Sequence, residues 1–272
     1  MMFDIDLFYA KINGLKKKNR HILTNNFLSR NELFEISQDV NSLILMQESL
    51  VAVLVKERTF YRLYFHSNDL ENIQEIKVVL DCTNLPIILE LVGKMEQLDL
   101  QEEYFNKVCF RRYSILSRWR TNKIDISYNA KDTLKRFQFS VAKMNNVLAI
   151  EQCFSIEFDH WISHLPNTKK LEYLINNNLI FVATEEEKLA AVVCLENIGS
   201  NGKYLYQIVV DKKYRHQGLG KMIAKFAFSY YENDSNYTSW VEDTNSSSQN
   251  LHFQLGFRRE DLKTIILKYD RG

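Results

Sequence analysis

The chain has 272 residues, of which 46% are hydrophobic and 25% charged. This globular composition excludes a disordered chain, a collagen-like chain and a coiled coil. Lys and Arg number 35 against 34 Asp and Glu, for a net charge of +1; duplex nucleic-acid binders carry a marked positive excess, so nucleic acid is not an expected partner. There are 8 glycines and 2 prolines, where average usage gives about 19 and about 14, so each glycine carries more information than usual. The best apolar stretch, IKVVLDCTNLPIILELVG, is broken by Asp81, Asn84 and Pro86, which argues against a membrane partner. The opening MMFDIDLFYAKING places acids before any base, unlike a secretory signal. Cys82, Cys109, Cys153 and Cys194 form no C-x-x-C pair. They read as buried free thiols in a reducing compartment, hence a cytoplasmic protein, with neither a zinc site nor a disulfide framework.

In chain order, Leu50–Val55 (LVAVLV) and Phe60–Phe65 (FYRLYF) read as strands. Leu70, Ile73, Ile76 and Leu80 predict a helix over 70–80. A strand over 86–92, a helix over 96–108 and a strand over 110–119 follow. A boundary near Arg120–Lys123 divides the chain into residues 1–122 and 123–272. In the second part, Glu185-Glu186-Glu187-Lys188 reads as a hairpin turn, and Leu189–Glu196 and Tyr204–Val210 as strands around the turn cluster NIGSNGK. Leu219, Met222, Ile223, Phe226, Ala227 and Tyr230 form one helical stripe. A strand over 237–241 precedes a short helix with Asn245 or Ser246 as N-cap and Gly256 as the stop, and Phe257–Tyr269 reads as two strand-like runs. The same order of elements occurs twice, which predicts a duplicated α/β (α+β) fold. Each half would be a mixed, centrally parallel sheet flanked by helices.

The halves differ at one place. After Val210 the second half reads DKKYRHQGLGK (211–221), a basic turn and Arg-x-x-Gly-x-Gly opening a helix; the first half reads HSNDLENI there, without glycine. A helix start offers unpaired N–H groups and partial positive charge. Glycines at 218 and 220 leave those N–H groups open to a phosphate.

This segment resembles the acyl-CoA-binding motif of the GNAT superfamily of N-acetyltransferases. The likeness continues into Asn245, Gly256 and Phe257, with Ser248 and His252 where the family often has alanine and tyrosine. It is close from about Val182 to Tyr269. Residues 124–178 are expected to supply the family's first strand and first two helices, and the first half looks like a decayed copy. The resemblance implies acetyl-CoA as co-substrate, with no metal. Its arm would pair with the backbone of Ile208, Val209 and Val210, and its diphosphate would meet the N–H groups of His216, Gln217, Gly218, Leu219, Gly220 and Lys221. Arg215 would add charge or fix the turn, and Asn245 would contact the arm. The family's strand glutamate, often the base, is missing; the strand offers Tyr204, Tyr206 and Gln207, of which Tyr206 is the catalytic candidate. His252 stands at the position of the family acid, and is expected to protonate or hydrogen-bond the leaving thiolate. Glu157, His160 and His164 are candidates for substrate contact, and a helix would bring the two histidines onto one face.

The expected activity is acetyl transfer to the amine of a small molecule or amino acid, by a monomer or homodimer. The alternatives are a non-catalytic acyl-CoA-binding sensor or scaffold, which the missing glutamate favours, and a glycine N-acyltransferase-like enzyme using a longer acyl-CoA.

Overall fold

The computed structural model describes residues 4–18, 23–25, 28, 30–39, 41–124, 136–231 and 236–271. They form two compact units. The first comprises residues 1–115 and 262–272, the second residues 116–261. A single cut at 122 does not reproduce these units, because one strand from each half of the sequence is used in the sheet of the other unit.

In the first unit, β1 (Leu23–Thr24), β2 (Leu43–Met46), β3 (Leu50–Glu57), β4 (Phe60–Ser67) and β5 (Ile87–Gly93) follow α1 (Ile5–Lys18) and enclose α2 (Arg30–Gln38) in sequence. β2, β3 and β4 are antiparallel neighbours. β4 and β5 are parallel, with Tyr61–Leu63 opposite Ile87–Leu89. Lys263–Lys268, from the final strand, pair antiparallel with β5. One face carries a core that includes Leu63, Phe65, Leu98, Phe105 and Phe110. The opposite face packs Val51 and Val53 against Phe8, Ile12 and Leu15 of α1 and Leu33 of α2. Those α1 residues recur at i, i+4 and i+7, a signal that the sequence reading passed over.

The predicted helix over 70–80 is a 3-10 turn, Glu71–Ile76, followed by one α-turn, α3 (Lys77–Leu80). Leu70, Ile73 and Ile76 are spaced by three, which lines up on one side of a 3-10 helix. α4 (Met95–Lys107) leads to β6 (Phe110–Thr121), whose residues 116–121 pair antiparallel with 237–242 in the second unit.

In the second unit the remaining elements are β7 (Gln138–Val141), α5 (Val147–Glu157), α6 (Thr168–Asn176), β8 (Ile180–Glu185), β9 (Lys188–Ile198), β10 (Gly202–Val210), α7 (Leu219–Ser229), β11 (Asn236–Glu242) and α8 (Ser246–Gln254). The sheet runs β6-β11-β10-β9-β8-β7. Phe257 to Tyr269 holds one strand, β12 (Arg258–Tyr269), where two runs were expected. Its polar residues Asp261 and Lys263 sit on a partly exposed stretch without breaking it. The thiols are not uniformly buried: Cys194 is, Cys109 and Cys153 are half-buried, and Cys82 is exposed. No helix among the described residues is long and apolar enough to cross a membrane.

Candidate acyl-CoA site

The site begins with an irregularity in β10. Its ladder with β9 slips between Leu205 and Gln207, leaving Tyr206 as the extra residue of a β-bulge. On the other edge, β10 pairs with β11 only over Gly202–Tyr204. At the point of parting, Ser239 Oγ of β11 donates to the Leu205 carbonyl at 3.0 Å. Beyond it lies a cleft of about 590 Å³ lined by Leu205–Val210. Tyr206 lines this cleft, its ring tilted against that of Tyr204 at 5.6 Å.

The cleft runs to the start of α7. Asp211 caps the 3-10 turn Lys212–Tyr214, its side chain accepting from the Lys213 N–H. His216 then adopts φ +61 and Gly218 φ +81, the left-handed region that costs a non-glycine residue about 1–2 kcal/mol. Gly218 is the N-cap of α7 and has no side chain to cap it, whereas α6 and α8 are capped by Asn167 and Asn245. The Met222 N–H closes the first α7 hydrogen bond onto the Gly218 carbonyl, which leaves the N–H groups of Leu219, Gly220 and Lys221 as the uncapped first turn.

The two glycines serve different ends. A Cβ at Gly218 would meet open space, so its requirement is conformational. A Cβ at Gly220 would come within 3.3 Å of Val210 Cγ2 and 3.6 Å of Leu251 Cδ2. Glycine there lets the helix start lie close to β10 and α8.

Of the residues expected at the cofactor, Ile208, Val209, Val210, Arg215 and His216 line the cleft, as do Gly218, Leu219, Gly220, Lys221 and Asn245. Gln217 does not line it; its amide pairs with Arg136 and with the Lys213 carbonyl. Arg215 donates from Nε to the Val210 carbonyl at 2.9 Å and forms an ion pair with Glu157. It ties the turn to the strand end and to α5. Asn245 Oδ1 accepts from the Ser248 N–H at 2.9 Å, so that oxygen is committed to the helix cap.

Glu157 also lines the cleft, but its carboxylate is held by Arg215, with Lys212 at 4.0 Å. His160 and His164 do not line it. α5 ends at Glu157, so the two histidines fall in the turn that follows and share no helical face. His160 Nε2 lies 3.3 Å from the Ser155 carbonyl. Among the described residues, no three His, Cys, Asp or Glu side chains gather as metal ligands.

His252 is buried and lines the cleft, packed beside the rings of Trp119 and Phe257. Its Nδ1 is 2.7 Å from the Ser248 carbonyl oxygen. That oxygen accepts only, so Nδ1 carries the proton and Nε2 presents a lone pair. Nε2 has no partner. Burial pushes the pKa down to about 4, against a smaller upward pull from the Ser248 carbonyl. Near neutral pH this imidazole is uncharged and has no proton on Nε2 to give a thiolate; the expected donor is, in this geometry, an acceptor.

A bulged strand that parts from its parallel neighbour and ends at an uncapped, glycine-initiated helix has the features that an extended ligand ending in phosphates would use. Residues 147–257 match the family model "Acetyltransferase (GNAT) family". The whole chain has the fold of solved GNAT proteins. It is similar to a GCN5-related N-acetyltransferase from Sphaerobacter thermophilus at 10% identity and TM-score 0.61, covering 96% of this chain and 90% of that one. A GCN5-related N-acetyltransferase from Kribbella flavida matches at 12% identity and TM-score 0.56, over 100% and 97%. A tandem GNAT protein from the clavulanic acid biosynthesis pathway matches at 7% identity and TM-score 0.60, over 98% and 95%. No curated protein matches the sequence. The stretch that matches the GNAT family model is the one that carries the cleft, and the whole chain shares the fold of solved GNAT proteins, a tandem one among them.

Proposed function

We propose that the second unit binds acetyl-CoA and transfers its acetyl group to the amine of a small molecule or amino acid. The observation that carries this reading is the continuity of one cleft, from the bulge at Tyr206 along Ile208–Val210 to the uncapped first turn of α7. The backbone of Ile208–Val210 would pair with the amides of the arm as an added strand does. The N–H groups of Leu219, Gly220 and Lys221 would meet the diphosphate, with Arg215 holding the turn rather than the ligand. The bulge sets Tyr206 at the irregular position of the β9 ladder, and a backbone N–H of this segment would polarise the thioester carbonyl.

The attacking amine must lose a proton. Glu157 is held in an ion pair and Tyr206 is a poor base near neutral pH. His216 and His252 also line the cleft; His252 Nε2, buried and without a partner, would accept a hydrogen bond from an amine or water that reaches it. With its low proton affinity it would orient the donor more than hold its proton. Calorimetric titration with acetyl-CoA, followed by thiol release across an amine panel, tests both halves of the proposal. One-site binding with acceptor-dependent release is expected. Absence of binding overturns it. His252→Phe should lower turnover about tenfold while leaving acetyl-CoA affinity unchanged.

A second reading has its own support. Among the described residues, the one carboxylate lining the cleft is ion-paired, and His252 is neutral. A protein that binds acyl-CoA without catalysis would look like this. Tight binding with no thiol release for any acceptor decides for it, and release only with longer acyl chains decides for the long-chain alternative.

A further inference from the structure

The first unit repeats the parting of parallel strands. β4 pairs with β5 only at Tyr61–Leu63, then continues past that pairing to Ser67 with β3 on its other side. The matching edge of β10 lines a cleft in the second unit. In the first unit that edge is taken by the chain itself.

Leu23 and Thr24 pair antiparallel with Ser67 and His66. Thr24 Oγ1 donates to the Phe65 carbonyl at 2.7 Å. Asn25, only 5% exposed, donates from Nδ2 to the Leu63 carbonyl at 2.7 Å and accepts at Oδ1 from the Phe65 N–H at 2.8 Å. A carboxamide that bonds C=O of one residue and N–H of the residue two further on occupies the place of a parallel strand's amide opposite Tyr64.

We propose that this edge is a second arm slot, suited to an extended amide-bearing ligand of the pantetheine type, and that Leu23–Asn25 fill it. The proposal rests on reading the second unit's cleft as an acyl-CoA site. The β3–β4 ladder runs without a bulge, and the turn after β4 has no glycine. A freed slot would therefore take the arm alone, without a preference for the diphosphate and without acyl transfer.

Amide hydrogen exchange on the full chain tests this, with pantetheine as the probe. The unchanged protein should show a protected Phe65 N–H that millimolar pantetheine does not alter. Thr24→Val with Asn25→Ala removes three hydrogen bonds and should speed Phe65 exchange about tenfold or more. Pantetheine, and CoA no better than pantetheine, should restore the protection. Unchanged Phe65 exchange in the double variant overturns the proposal, as does fast exchange that pantetheine fails to slow. If the double variant loses protection throughout the first unit, Asn25→Asp replaces it: it keeps the acceptor, loses the donor to Leu63, and must show the same rescue or the proposal fails. Acetyl-CoA calorimetry on the unchanged protein reads the second unit separately, so loss of that reading and loss of this one are distinct results.

Discussion

The two units share a frame and differ in its exceptions. Both place a parallel strand pair at the centre and let the pair part after three residues. In the second unit the strand before the gap is bulged; in the first its ladder is unbroken. The second unit's next helix starts at a left-handed glycine with no cap. At the same place in the first unit, Asp69 Oδ1 accepts from the Glu71 N–H at 3.1 Å and Ser67 Oγ donates to the Asp69 carbonyl. A carboxylate already sits where an anionic ligand would come. The units therefore differ in a few backbone irregularities at the edge where the proposed ligand would lie, while the sheet accommodates either version.

The first unit also invests in a buried charge. Arg62 is 1% exposed and paired with Glu57 and Glu90. Burial alone would lower its pKa, but the two carboxylates outweigh it and raise it. Arg62→Ala strands two carboxylates and should cost about 3–5 kcal/mol in a urea titration. The contrast at the helix starts can be tested by exchange. Gly218→Asp adds left-handed strain and a negative charge, and should weaken acetyl-CoA binding about 100-fold by calorimetry. Asp69→Gly in the first unit should create no acetyl-CoA affinity, because the bulge and open edge are still missing.

Among the described residues, each unit buries one histidine. His66 and His252 are both pushed down to about 4, His66 by burial with help from Lys16 and His252 by burial. The unfolded chain binds these protons near pH 6.5 and the folded chain only near 4. Stability is therefore full above about pH 6.5 and falls as pH drops towards 4, by up to about 3 kcal/mol for each histidine. His66→Leu and His252→Leu should each flatten that slope in urea titrations run against pH. The smallest effect expected is at the hairpins. Glu186 and Glu187 have φ +48 and +65 between β8 and β9, and Arg58 has φ +39 between β3 and β4. Glu186→Asn with Glu187→Gly should raise stability by about 1 kcal/mol, visible as a few degrees in Tm, and Arg58→Asn should gain less.

The strands over 50–65 and 189–210, the α7 stripe and the Asn245 cap were legible because period, turn residues and caps are local signals. α1 is legible too, in Phe8, Ile12 and Leu15, although Gly14 interrupts the run. The segment 70–80 differs from the expected helix because spacing by three is shared between a short 3-10 turn and one face of a helix. In the site, the glycine motif identified the helix start but not the division of labour, since Gly220 faces Val210 and Leu251 across the fold. Arg215 and Glu157 are 58 positions apart and their pairing has no sequence signature. The tautomer of His252 depends on a carbonyl one turn back and on burial by Trp119, which the sequence places 133 residues earlier.

The crossing of strands has a practical consequence for anyone who would dissect the protein. A fragment beginning at residue 124 loses Leu116–Thr121 and bares the outer edge of β11. It also keeps Lys263–Lys268, whose sheet neighbour Ile88–Gly93 has been cut away. Two orphaned edges in one polypeptide invite self-association. Fragments that respect the exchange, ending at 261 and starting at 116, are the ones expected to stay in solution.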